Sequence, residues 1–300
     1  MGVRLRWLVL LAVAGGACVG PLFGDGTSVS IGTASRGALR HGVALPSQGD
    51  GYVIPPTWRA RGSSYGTDEL IEALVRSARA VARELPGGWL GVADLSPRGG
   101  GASVKHRSHE NGRDVDLIYF AADPAGRPLK PADAMIHYDA EGVSRAWRPD
   151  DPHDPPPSHG WEATSRRFDV ARNWALVRAL IDDPAIEVQW IFMAEHLRQR
   201  VLDYAAQRGE SAALIDRAAW ILHRPTDSQP HDDHMHVRVL CDALDRAFGC
   251  VDHGPVRWWK KNYKYMEPAL ARLEQRAVPE PLLLLGLGPG GLFASALHPR

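Results

Sequence analysis

Two short stretches of the 300-residue chain carry most of the residues that could do chemistry. The first is His109-Glu-Asn-Gly-Arg-Asp114-Val-Asp116-Leu, and the second is His231-Asp-Asp-His234-Met-His236-Val-Arg238. Alternate residues of a strand share a face. As a strand, the first stretch turns Val115, Leu117 and Tyr119 to the core and Asp114 and Asp116 the other way. The second turns Met235, Val237 and Val239 inward. His234, His236 and Arg238 then share the opposite face, the two imidazoles roughly 7 Å apart at Cα by the strand rise. Two acids beside a core strand are costly unless something cationic meets them. The stretches therefore read as complementary halves of one site, carboxylates from one strand and imidazoles from the other.

Zinc accounts for this set best. A catalytic zinc takes three protein ligands of histidine and carboxylate type and keeps one position for water. It acidifies that water and polarises a carbonyl, and an imidazole that does not ligate can serve as base or transition-state donor. A lone His-x-His is ordinarily a hydrogen-bonded pair, and a lone Asp-x-Asp a turn or solvated edge. Their combination with His109 and His231 points to a site. No HExxH helix, GxSxG elbow or P-loop offers a competing template. His106 lies in a loop that Gly99-Gly-Gly101 opens and that is expected to be flexible. It reads as a substrate contact, an accessory metal ligand or a solvated side chain. His153 and His159 sit in Pro-rich loop and are assigned no role.

The elements that must position these residues follow from periodicity and punctuation. Thr67 and Asp68 can cap a helix that Leu70, Leu74, Ala78 and Val81 continue, stopped by Pro86-Gly-Gly88. A short strand is expected over 89–95 and another over 113–120. Residues 135–138 and 143–147 suggest a small hairpin around Asp139-Ala-Glu-Gly142. Asp169 caps a helix with Trp174, Val177 and Ile181 on one face. A buried strand follows over 187–193, a helix over 195–207 ended by Gly209, and last strands over 220–223 and 234–240. Helices and strands mix without strict βαβ alternation, so the fold class is α+β with a small, mainly antiparallel sheet flanked by helices.

Composition bounds the rest. Lys plus Arg and Asp plus Glu are 35 each, so the net charge is zero and there is no broad basic field for nucleic acid. With 44% apolar and 23% charged residues the chain is neither disordered nor a multi-span membrane protein. Arg4 and Arg6, the apolar run 7–14 and small residues 15–17 form a secretory signal peptide over 1–18. Cys18 after Gly-Gly-Ala is either the lipid-anchored cysteine of a lipoprotein or the neighbour of an ordinary cleavage site. In an oxidising compartment the two remaining cysteines, Cys241 and Cys250, favour a local disulfide. The expected organisation is a loop-rich segment 19–66, a catalytic core 67–255, and a C-terminal helix and flexible tail 256–300. The run 257–265 (RWWKKNYKY) either packs on the domain or meets a polyanion or glycan.

These residues resemble those of the penicillin-insensitive murein endopeptidases, zinc peptidases related to the lysostaphin, D-Ala-D-Ala carboxypeptidase and hedgehog group. The matching stretches run in order over about residues 28–250: Ser28-Val-Ser-Ile-Gly-Thr33, Leu45-Pro-Ser-Gln-Gly-Asp-Gly-Tyr52, Gly99-Gly-Gly101, Ser108-His-Glu-Asn-Gly-Arg-Asp-Val-Asp116, and His231-Asp-Asp-His-Met-His-Val-Arg238 followed by Cys241. The resemblance implies His109, Asp116 and His236 as ligands of one catalytic Zn2+, with His106 as an extra ligand. It implies His234 as the histidine acting on the attacking water or the tetrahedral intermediate, and His231 as a second active-site histidine. It also implies a Cys241–Cys250 disulfide, and cleavage of the D-alanyl-diaminopimelyl crosslink peptides of peptidoglycan in the periplasm. Residues 121–167 and the tail match nothing in the family, so no role is transferred to them. The alternatives are a D,D- or L,D-carboxypeptidase with the same site, or a non-catalytic wall-binding module.

Overall fold

The computed structural model describes residues 24–103, 105–144, 166–225 and 228–253. The signal segment with Cys18, His153, His159, Trp147 and the 257–265 run lie outside them. Among the described residues no helix is long and apolar enough to cross a membrane.

A seven-stranded sheet organises the chain. Its order is Leu222–His223, Val188–Phe192, His234–Val239, Asp114–Ile118, Leu90–Val92, Tyr52–Val53, Gln48–Gly49. Neighbours run antiparallel except at two places, Val188–Phe192 beside Leu222–His223 and Tyr52–Val53 beside Leu90–Val92. The fold is thus α+β and mainly antiparallel. Residues 48–53 supply one edge of the sheet, and residues 29–40 form a hairpin beside it.

Period-two alternation explains the two central strands. Val115, Leu117, Met235 and Val237 are fully buried and join one core with Leu70, Leu74 and Val81 of the Asp68–Glu84 helix and Val177 and Leu180 of the Val170–Asp182 helix. The opposite face of the same strands carries Asp114, Asp116, His234, His236 and Arg238. Two helices begin as expected, Val170–Asp182 capped by Asp169, whose side chain accepts from the Arg172 amide, and Glu195–Gln207. At Asp68–Glu84 the cap differs. Thr67 holds the N-cap position without a side-chain bond. Asp68 instead accepts from the Ser28 amide at 2.9 Å, and the Ser28 hydroxyl accepts from the Asp68 amide at 2.8 Å.

Two expectations need correction. Trp220 is helical: Ser211 caps an Ala212–Ile221 helix, and only Leu222–His223 is strand. Leu214, Ala218 and Ile221 recur at helical spacing, which outweighs the β-like look of the last four residues. Of the expected 135–147 hairpin, residues 145–147 lie outside the described ones; within the rest, Asp139 N donates to Val143 O and an antiparallel bridge joins Tyr138 to Ser144. The triple glycine is clamped rather than flexible. A Cβ on Gly100 would sit 2.2 Å from Glu110 O and 2.5 Å from Leu39 N, and Gly101 N donates to Glu110 O. Glycine is there for close backbone approach.

Cys241 and Cys250 are joined in a disulfide with Cα atoms 6.0 Å apart. It closes a loop holding the short Ala243–Ala247 helix, and Cys250 pairs with Gly32 of the first strand.

Candidate active site

Strand register assembles the site. His236 lies opposite Asp116 and Arg238 opposite Asp114 in the antiparallel pair. His109 enters from the preceding loop with φ 68°, and His231 from the turn before the histidine strand with φ 56°. Left-handed backbone is uncommon for a residue with a Cβ and concentrates where function requires it.

One carboxylate oxygen is the focus. Asp116 Oδ1 is 3.3 Å from His109 Nε2, 3.1 Å from His236 Nδ1 and 3.5 Å from His234 Nε2. All four side chains lie near that point, yet Asp116 Oδ1, both ring nitrogens of His109 and His236 Nε2 are buried with no hydrogen-bond partner. Orphaned buried polar atoms are rare. Ligand atoms at the usual zinc bond lengths of about 2.0–2.1 Å in a tetrahedron lie roughly 3.3 Å apart, the separation seen here. The donor set therefore fits a zinc-like ion. Two overlapping groups could hold a cation here, His106 with His109 and Asp116, and His109 with Asp114 and His236.

A second layer of contacts fixes the rings. Arg238 grips Asp114 through two bonds of 2.7 Å. Asp114 Oδ2 in turn accepts the His109 amide and lies 3.4 Å from His236 Nε2. His106 Nε2 bonds Asp94 at 2.9 Å, with its other nitrogen 3.8 Å from Asp116 Oδ2. His234 Nδ1 bonds Asp233 Oδ1 at 2.7 Å, and His231 Nδ1 donates to the Gln229 carbonyl at 2.6 Å. Carboxylate and carbonyl partners of this kind set which ring nitrogen faces inward.

The charges sort accordingly. Burial opposes ionisation of Asp116, but the His109 and His234 imidazoles hold its carboxyl well below the usual range. Burial opposes Asp114 too, and Arg238 holds it well below that range. His231 moves the other way, lowered to about 3 by burial and by His234 and His236 beside it. For His234, burial is outweighed by Asp233 and Asp116, which raise it well above its ordinary value.

Every histidine and aspartate singled out from sequence, namely His106, His109, Asp116, His231, His234 and His236, falls in this cluster. Sequence reasoning missed the partners Asp94 and Asp233 and a neighbouring group, His137 with Asp232 and Asp233. Asp233 had a signal, since it sits between two of the candidate histidines. It also missed the wall beside the site. Phe192 lies opposite His236, their rings 5.3 Å apart, and stacks on Trp190 at 5.8 Å.

A family model described as penicillin-insensitive murein endopeptidase matches residues 30–151, a span that includes His106, His109, Asp114 and Asp116 and, contrary to expectation, reaches into the 121–167 stretch. Together with the sheet-face site this defines a peptidase, a hydrolase of amide bonds. Curated relatives of the same description come from Haemophilus influenzae, 28% identical over 77% of this chain and 70% of the relative, and Klebsiella pneumoniae, 26% identical over 83% and 80%. A third, from Pectobacterium atrosepticum, is 29% identical over 73% of this chain and 66% of its own length. Over these spans the chain is similar to the penicillin-insensitive murein endopeptidases.

Proposed function

We propose that the protein is a zinc-dependent murein endopeptidase that cleaves the D-alanyl-diaminopimelyl crosslinks of peptidoglycan. The observation that carries the reading is the set of buried, unpartnered donors around Asp116 Oδ1 in a chain similar to this family. His109 through Nε2, Asp116 through Oδ1 and His236 through Nδ1 would hold the ion, with His106 as an outer contact. When bound, zinc supplies Lewis-acid polarisation of the scissile carbonyl and lowers the pKa of a water.

The remaining residues handle protons and charge. The Gln229 carbonyl can only accept, so His231 carries its hydrogen on Nδ1 and stays neutral, with its Nε2 lone pair as a hydrogen-bond acceptor. His234, backed by Asp233, is suited to steady negative charge on the carbonyl oxygen and to protonate the departing amine. Asp114 and Arg238 keep His109 and His236 in place.

The Cys241–Cys250 disulfide supports an oxidising location. With the signal-like N-terminus and a wall substrate it favours the periplasm, either free or anchored through Cys18. Digestion of purified crosslinked murein with and without a chelator, followed by mass analysis, tests the function. Conversion of crosslinked dimers to monomers, stopped by the chelator and restored by zinc, is the expected result. Release of terminal D-alanine alone would make the protein a carboxypeptidase, and binding without products would make it a wall-binding module.

A further inference from the structure

We propose that Asp233 is a positioning residue that fixes the His234 ring, keeping hydrogen on Nδ1 and aiming Nε2 at the reacting centre. The inference rests on the murein endopeptidase reading and adds to it a residue that acts by hydrogen-bonding His234.

The contact is unusual for adjacent residues. Neighbours in a strand point to opposite faces, so their side chains do not normally meet. Here Asp233 belongs to the bend before the His234–Val239 strand, and His231 just ahead of it has φ 56°. That left-handed residue reverses the chain and lets the Asp233 carboxylate fold back to His234 Nδ1 at 2.7 Å. The bend is itself held. Tyr138 N donates to Asp232 O at 2.9 Å, Tyr119 OH to His231 O at 2.8 Å and Ala194 N to the same carbonyl at 3.0 Å. Asp232 is separately engaged with His137 Nδ1 at 2.7 Å, which leaves Asp233 to His234.

The geometry has a chemical consequence. An imidazole ring can flip and exchange the places of its two nitrogens. With Nδ1 tied to a carboxylate, the ring is left with one orientation, Nε2 toward Asp116 Oδ1 at 3.5 Å. Without that tie the ring is free to rotate, and a misplacement of about 1 Å can cost about 10²-fold in rate.

The test uses zinc-loaded full-length protein. Asp233→Ala should lower kcat on crosslinked muropeptide roughly 10²-fold, with KM and zinc content unchanged. Asp233→Asn keeps an acceptor of the same shape and should recover about half of that loss on a logarithmic scale. The second readout needs no turnover. In histidine labelled with 15N, the His234 signals, assigned by their absence in His234→Ala, should report a hydrogen-bonded Nδ1–H in the wild type and the loss of that bond in Asp233→Ala. A wild-type kcat in Asp233→Ala, an unchanged nitrogen pattern, or an activity loss that tracks zinc loss would each overturn the proposal. If the wild type leaves crosslinks intact, the functional reading fails, and the nitrogen pattern still decides whether Asp233 fixes the ring.

Discussion

On the open face of the sheet Asp114 and Asp116 keep their charge although both are buried. At the corner beside the disulfide Asp245 is buried as deeply and does not. Burial, with Asp242 and Glu69 alongside, pushes the Asp245 carboxyl up to about 8, although its Oδ1 accepts the Ser30 amide at 2.8 Å. Glu69 follows, raised to about 7 by burial and by Asp242. On the sheet face burial acts in the same direction and is defeated by Arg238 and the histidines. The difference teaches that depth alone does not decide charge; the neighbours on facing elements do. Charged acids with unsatisfied imidazoles around them form a place to bind a cation. A protonated acid with an amide bond holds two elements together.

Changes on the sheet face should be the most damaging. Asp116→Ala and His236→Ala should each lose zinc on dialysis and turnover with it, because two remaining ligands hold the metal weakly. Elemental analysis beside muropeptide turnover checks this, and full zinc occupancy in either variant removes that residue from the ligand set. His234→Ala should instead keep zinc while turnover falls roughly 10²–10⁴-fold. If His234→Ala is metal-free while His236→Ala retains zinc, the two roles are reversed.

The corner should respond in stability rather than in chemistry. Replacing Cys241 and Cys250 by serine should cost roughly 2–3 kcal/mol, the chain-entropy value for so short a loop, with zinc content unchanged. Denaturant unfolding measures it, and a cost near zero would make the corner incidental to the fold.

The most direct contrast lies in pH dependence. Asp245 has a folded pKa raised to about 8 against about 3.9 unfolded, so its contribution is complete below about pH 4 and is lost as pH rises through about 8. Wild-type stability should therefore decline between pH 5 and pH 9, by at most about 1.4 kcal/mol per pH unit for one proton. Asp245→Asn, which keeps the acceptor for Ser30 N without the charge, should flatten the decline. Asp114 and Asp116 carry the opposite sign: their folded pKa values are depressed, so their contribution is present above about pH 4 and fades on acidification. Urea midpoints at pH 5, 7 and 9 separate the two regions, and an unchanged slope in Asp245→Asn would remove this residue as the cause.

The sheet face was readable in the sequence because period two is strict there. Val115 and Leu117 could be separated from Asp114 and Asp116, and Met235 and Val237 from His234 and His236, before any pairing was known. The pairing itself, His236 on Asp116, is non-local and follows only from the sheet order. Asp94 left no mark, since it is one acid at a strand end, and only the fold brings it to His106 and Arg61. The left-handed backbone at His109 and His231 was hidden because the residue type does not announce it as glycine would. At Gly100 the type was noticed but read as freedom, when the chain uses it for contact. The Ala212–Ile221 helix is masked because its last two residues, Trp220 and Ile221, run straight into the Leu222–His223 strand and share its residue types.

The histidine strand is the last strand of the sheet in chain order, yet it lies in the interior of the sheet, between Val188–Phe192 and Asp114–Ile118. Arg238 meets Asp114 across 124 residues of sequence. Closing so long a loop is slow compared with forming the helices between. Until it closes, the chain has carboxylates on a half-built sheet and no imidazole pair to face them. A form ending before His234 lacks both His234 and His236, and with them one of the two halves of the site.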